Sequence, residues 1–471
     1  MRAALPFLSV TLLLGACAGL SGKGRPDGPV PQVAGADGGW IDGAPAGPMA
    51  AGWWQALGDP QLDGLIAQGL AASPDVAEAE AKLRSARAAL AATRARALPQ
   101  LDASGSATTN AQSANGMIPF GRLSQFPGIT RSYDLFDAGF DASWEIDIWG
   151  ARAAATRAAA ARGDMAAAQR DGVRLTLAAE IARTYTQMRA DQARRANWEG
   201  QEAALAALAT LQQARLAAGE ATRDEALAAT QRLESARAQL AGARGDATAD
   251  AYALAQLTGQ PPEALAGLIG TAAPLPAAPA VALVGLRSDV LARRPDVRGA
   301  VADLAAAHAD VKAARAALFP SLSLTGSVGQ QARTTGTFTA ADSTRYSLGP
   351  SLHWPVFAGG QLRAQLRGAR ADADAAAARY GKAVLTALAD SETAANRLAR
   401  AADASAAAAS AASAAEATGA LADARFIQGE DSRAQALEAR LAALSADNAA
   451  ISARAAHTAA YVALGKALGA R

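Results

Sequence analysis

From Phe136 to Ile148 every second residue is apolar (Phe136, Ala138, Phe140, Ala142, Trp144, Ile146, Ile148), and the residues between them are Asp137, Gly139, Asp141, Ser143, Glu145 and Asp147. The same period of two returns over 346–356, where Tyr346, Leu348, Pro350, Leu352, Trp354 and Val356 alternate with Ser347, Gly349, Ser351, His353 and Pro355. Such a period places all the apolar side chains on one face of a strand. Each stretch has about the 9–11 residues that a tilted strand needs to cross a hydrocarbon core. Phe136, Phe140, Trp144, Ile146, Tyr346, Leu348, Leu352 and Trp354 are therefore expected to face lipid. Paler stretches rich in Ser, Thr, Gly and Ala near 100–112 and 321–331 predict a partner strand before each, with 113–131 and 332–344 as outer loops.

The rest of the chain reads as helix. Proline is absent from 128–260 and again from 356 to the end, and both runs are rich in alanine with interspersed Arg and Glu, which are good helix formers. They predict helices over 151–218 and 361–428, each ~100 Å long at ~1.5 Å per residue. Shorter helices are expected over 222–258 and 432–468, and over 74–98 and 295–319, the first of these opened by Ser73 as N-cap and Pro74 at the first helical position. Two short helices stacked end to end nearly match one long helix. Leu233, Leu240, Ala247 and Leu254, and then Leu437, Leu444 and Ile451, recur every seven residues as in a coiled coil, interrupted by Asp250 and Asn448.

These elements occur twice. SPDV at 73–76 returns as RPDV at 294–297, and ALPQLDASGS at 97–106 as LFPSLSLTGS at 318–327, both at a spacing of 221 residues. Gly219 and Gly429 are 210 apart, as are Gly259 and Gly469. The chain divides into a first repeat over 51–259, a Pro/Ala-rich linker over 260–285 and a second repeat over 286–471. Each repeat contains one helix break, RLAAGEATRDEAL and RFIQGEDSRAQAL. Gly219 and Gly429 can take the left-handed conformation that ends a helix, and Thr222 with Glu225 and Ser432 with Gln435 match the capping box that starts the next. Four strands cannot close a barrel, and in lipid every edge must be paired. Three copies would supply twelve strands, enough to leave a channel. The expected fold is an α+β membrane protein: a long α-helical barrel plus a 12-stranded transmembrane β-barrel formed by a homotrimer.

Composition narrows the function. The 45 basic and 43 acidic residues nearly cancel, so no field favours nucleic acid. The three histidines are far apart and Cys17 is the single cysteine, which leaves no metal cluster, cofactor motif or catalytic constellation to propose. Residues 1–16 read as a cleaved signal, too short to span a bilayer. Leu14-Gly15-Ala16-Cys17 resembles a lipobox, whose cysteine thiol takes the lipid, and Ala18 in place of Asp favours the outer membrane. The Gly/Pro-rich remainder to residue 50 reads as a flexible linker from the anchor.

With Leu291-Ala-Arg-Arg-Pro-Asp-Val297 opening the second repeat, Phe357-Ala-Gly-Gly360 after the last strand and the duplicated glycine breaks, the chain resembles the outer-membrane factors of tripartite efflux pumps, the family of TolC and OprM, in its lipoprotein branch. The resemblance covers roughly 50–471. It implies a passive exit duct for small molecules, working with a periplasmic adaptor and an inner-membrane RND-type transporter. It further implies that the turns Gly219, Glu220, Ala221, Thr222 and Gly429, Glu430, Asp431, Ser432 meet the adaptor. In the family a periplasmic gate is often formed by acidic residues six and nine positions after the second turn glycine; here these are Gln435 and Glu438, and only the latter carries charge. A type I protein-secretion channel is the alternative within this class, and a non-channel coiled-coil scaffold the alternative outside it. Arg293-Arg294-Pro295-Asp296 reads as a helix start and not as an anion site, because Asp296 suits the helix dipole.

Overall fold

The computed structural model describes residues 40, 49, 51–113, 131–279 and 287–470. Cys17, the leader, most of the linker to residue 50, residues 114–130 of the first outer loop and the end of the inter-repeat linker lie outside them. The order of elements is α1 (Pro60–Ala72), α2 (Pro74–Ala95), β1 (Gln100–Ala111), β2 (Ser132–Ile146), α3 (Ala151–Ala217), α4 (Arg223–Leu257), α5 (Arg287–Arg293), α6 (Pro295–Ala316), β3 (Ser321–Ala332), β4 (Thr344–His353), α7 (Gln361–Gln428) and α8 (Arg433–Ala467). The long helices end within a residue of their expected bounds, because proline-free alanine runs and caps act locally. The apolar alternation runs past the strands: Ile148 lies beyond the end of β2, and Trp354 and Val356 lie beyond β4. Helix α1, capped by Asp59, which accepts from the backbone N–H groups of Gln61 and Leu62, is an addition.

The chain forms two compact units, each drawing on both repeats. Ser85–Asp164 and Val301–Ala378 make the first, which holds the sheet. Its four strands are antiparallel in the order β1-β2-β3-β4. The register joins the alternations of single strands into one surface. Phe140 lies opposite Ala103 on one side and Val328 on the other, and Val328 lies opposite Tyr346. Ala142, Leu101, Gly326 and Leu348 form the next row, and Ile146, Leu322 and Leu352 another. The opposite face carries Asp102, Asp141, Ser327 and Ser347 in one row and Ser106, Asp137 and Gln331 in another. Gly139 faces Gly329 at the centre of that polar face. A Cβ on either would come within 2.6 Å of a carbonyl oxygen of the opposing strand, so no side chain fits where β2 and β3 approach most closely.

The second unit, built on Pro31–Arg84, Met165–Ala300 and Arg379–Arg471, holds the apolar core. Trp53, Leu62, Ile66, Ile181, Tyr185, Met188, Leu254 and Leu464 are buried there. Farther along α3, Leu205 and Leu208 pack with Leu233 of α4 and Leu441 of α8. The heptad positions Leu233, Leu240, Ala247 and Leu254 are all buried. Alanine and glycine line the contact between α7 and α8, where Gly419 lies against Ala439 and Ala443. Two polar residues interrupt the seams, and each keeps a buried oxygen without a partner among the described residues, Asp250 Oδ2 and Asn448 Oδ1.

Candidate functional site

The apolar side of the sheet is turned to the exterior of the chain. Tyr346 is 84% and Leu348 78% exposed, and Leu101, Phe140, Val328 and Leu352 are also exposed. Phe136 and Ile146, expected on the same face, are half-buried there, and Trp144 and Trp354 are exposed. So many large apolar groups side by side need a non-aqueous neighbour. Among the described residues no helix is long and apolar enough to cross a membrane. The polar face is knitted together by charge: Arg345 grips both carboxylate oxygens of Asp137 at 2.7 and 2.8 Å, and Gln331 donates to the same carboxylate.

Aromatic side chains gather at the helix-side end of the sheet. The indole N–H of Trp144 donates to Ala97 O at 3.1 Å, and that of Trp354 to Leu318 O at 3.4 Å. The pairing is duplicated, since Trp354 follows Trp144 by 210 residues and Leu318 follows Ala97 by 221. Trp149 stacks on Phe319 at 4.7 Å and donates to Pro320 O. Indoles with an apolar body and a bonded N–H suit the boundary between hydrocarbon and headgroups. Trp149 and Phe319 were absent from the sequence reading because they lie outside the strands; their signal was the aromatic residue beside each chain turn.

In the second unit the helix breaks are two matched turns. Gly219 and Gly429 have φ of 75° and 79°. The N–H of Glu220 donates to Arg215 O at 2.8 Å and that of Gly219 to Leu216 O at 3.0 Å, while Glu430 and Gly429 do the same to Arg425 and Phe426. These are Schellman closures followed directly by the two capping boxes, each complete in both directions. The turns differ in one respect. Arg425 bonds Asp431 at 2.9 Å, whereas Arg215 has Ala221 at the corresponding place and donates to the Glu220 carbonyl and to Gln212. Ile427, beside the second turn, is 83% exposed.

Gln435 and Glu438 have separate engagements. The Gln435 side chain accepts from the Ser432 N–H and hydroxyl within the cap. Glu438 takes both guanidinium nitrogens of Arg232, at 2.6 and 3.0 Å, and so ties α4 to α8. That hydrogen bond holds the Glu438 carboxyl below the usual carboxylate range. Arg232 was not foreseen: a pair 206 residues apart leaves no local signal.

Arg294 is buried and binds Asp296 at 2.6 Å, Ala467 O at 2.8 Å and Asp390 at 3.1 Å, which is the structural role expected of it. Arg189, fully buried, donates to Tyr185, Gln192 and the Thr271 carbonyl, and Tyr185 donates to Asp59 at 2.7 Å. Burial, with a contribution from Asp59, pushes the Tyr185 hydroxyl up to about 12. These networks tie α1, α3 and the segment after α4 into one body.

A doubled helix-and-strand repeat with a lipid-compatible sheet and long helical hairpins defines a class of outer-membrane channel. The pattern of the outer membrane efflux protein family matches residues 65–260 and 286–470, and the chain belongs to that family. The pyoverdine export outer membrane protein OpmQ of Pseudomonas aeruginosa is 34% identical over 422 residues, which cover 84% of this chain and 81% of OpmQ. The multidrug resistance outer membrane protein MdtP of Shigella flexneri is 30% identical over 409 residues, covering 83% and 80%. Among solved structures, the outer-membrane channel OprN superposes with a TM-score of 0.82 at 29% identity, covering 95% of this chain and 98% of that one. The chain is an outer-membrane efflux component with a helical barrel and a transmembrane β domain.

Proposed function

We propose that three copies of the chain close a twelve-stranded barrel and form the exit duct of a tripartite pump for small molecules. The single observation that carries this reading is the apolar face, continuous and exposed across all four strands, with a polar face behind it. A four-stranded sheet has two unpaired edges, which lipid does not tolerate, and copies of itself supply the missing pairing. OpmQ and MdtP, by their names, serve pyoverdine export and multidrug resistance, which favours small molecules over protein cargo. No chemistry is assigned to the chain; it conducts.

In this reading Cys17 carries the lipid anchor. Residues Gly219 to Thr222 and Gly429 to Ser432 meet a periplasmic adaptor that links to an inner-membrane RND-type transporter. Gln435 and Glu438 lie next to that contact and narrow the mouth. Light scattering and negative-stain imaging of detergent-extracted mature protein test the assembly, and planar-bilayer conductance tests the duct. A trimer with discrete conductance steps is expected. A monomer that needs no detergent overturns the proposal. For the turns, Glu220→Cys and Glu430→Cys are expected to crosslink to the adaptor in cells, whereas a cysteine in mid-α7 is not.

A further inference from the structure

The chain as a whole is nearly neutral, yet the parts of its helices next to the sheet are not. Helix α2 has no acidic residue from 81 to its end, α6 none after Asp310, α3 none before Asp164 and α7 none before Asp372. These stretches and the turn after α2 carry Arg94, Arg96, Arg315, Arg363 and Arg367, all exposed and, among the described residues, without an ion-pair partner, as are Arg87 and Arg370 farther from the strands. All five belong to the unit that holds the sheet.

Their level is marked by the tryptophans. Arg94 and Arg96 precede the Ala97 carbonyl that binds Trp144, and Arg315 precedes the Leu318 carbonyl that binds Trp354. Arg315 follows Arg94 by the same 221 residues that relate the two carbonyls, and Arg367 follows the basic Arg157 by 210. Both repeats therefore place arginine close in sequence to the carbonyl that a tryptophan binds. Arginine at a helix C-terminus, as at Arg94 and Arg315, is ordinary, because it suits the dipole. Arg363 lies in the first turn of α7 with no acid there, as Arg152 does in α3 and Arg433 in α8, and of these Arg152 is paired with Glu145.

We propose that these five arginines form a basic collar that binds the phosphates of anionic phospholipids in the leaflet facing the helices. The occupant follows from continuity: the collar adjoins the lipid-facing sheet, and a headgroup layer begins where the tryptophans end. The inference rests on the membrane reading of the sheet.

The test uses the full mature chain reconstituted in phosphatidylcholine vesicles with brominated phosphatidylglycerol or brominated phosphatidylcholine, which quench Trp144, Trp149 and Trp354 when they lie alongside. Wild type is expected to prefer the anionic lipid by roughly fivefold per engaged arginine at low salt, and the preference should vanish at about 1 M salt, where the screening length is about 3 Å. Arg94→Gln/Arg315→Gln/Arg363→Gln should lose most of the preference, and the corresponding lysine variant should keep it. Circular dichroism should show that both variants retain wild-type helix content. Equal quenching by the two lipids in wild type, or a preference unchanged in the glutamine variant, overturns the collar but leaves the membrane reading intact. Quenching by neither lipid sinks both.

Discussion

Glu438→Gln cuts one specific tie between the two helical hairpins. The Arg232–Glu438 bridge is bidentate, at 2.6 and 3.0 Å, and its side chains are 45% and 48% exposed. Exposed pairs contribute about 0.2–1 kcal/mol, and two-point geometry places this one at about 0.5–1. That is roughly a two- to fivefold change per chain in the balance between a shut and an open mouth. Should three chains open together, the factors multiply to roughly tenfold to 150-fold. Single-channel recording in planar bilayers measures this directly as the fraction of time in the high-conductance state. The gain should shrink at about 1 M salt, which already screens the wild-type pair, and the swap Arg232→Glu/Glu438→Arg should restore wild-type behaviour. The pH sign follows from the lowered carboxyl. Its stabilising contribution is present above the ordinary value of 4.5 and is lost only as pH falls through the depressed one, so mild acidification should leave the bridge and the wild-type open fraction unchanged. A variant open fraction within error of wild type, or a charge swap that fails to rescue, would refute the latch.

Three further outcomes are expected. Asp250, pushed up to about 6 by burial and then by Asp191, binds its proton more tightly folded than unfolded, so stability should fall as pH rises from about 4 to about 6; Asp250→Asn should flatten that slope and stabilise the protein at neutral pH by about 1–2 kcal/mol, read by denaturant titration. Gly465→Ala drives a methyl group into the Trp53 ring, which stands 2.6 Å from the would-be Cβ, and should cost about 1–3 kcal/mol with a lower thermal midpoint. Phe140→Arg, in mid-sheet on the lipid side, should cost about 2–4 kcal/mol and lower the yield of trimer measured by light scattering in detergent, whereas Ser327→Arg on the polar face should assemble.

What could be read from residues alone was whatever depends on neighbours close along the chain. Helices without proline, glycine closures with a capping box, and a period of two in β2 and β4 each have local physical causes, so their places came out within a few residues. Helix α1 escaped because thirteen residues with a modest apolar stripe resemble a loop segment until Asp59 is seen to cap them. Ile148 and Val356 continued an alternation that the strands do not follow, because the chain must turn there to enter α3 and α7. Only the tertiary structure decided how four alternating strands register into one apolar face, why Gly139 must meet Gly329, and that Arg345 serves Asp137. It also supplied the partners of the expected gate pair: Gln435 accepts within the cap of α8 and Glu438 pairs with Arg232. These partners stand up to 208 residues apart, and contacts over such distances arise from packing, to which local pattern is blind.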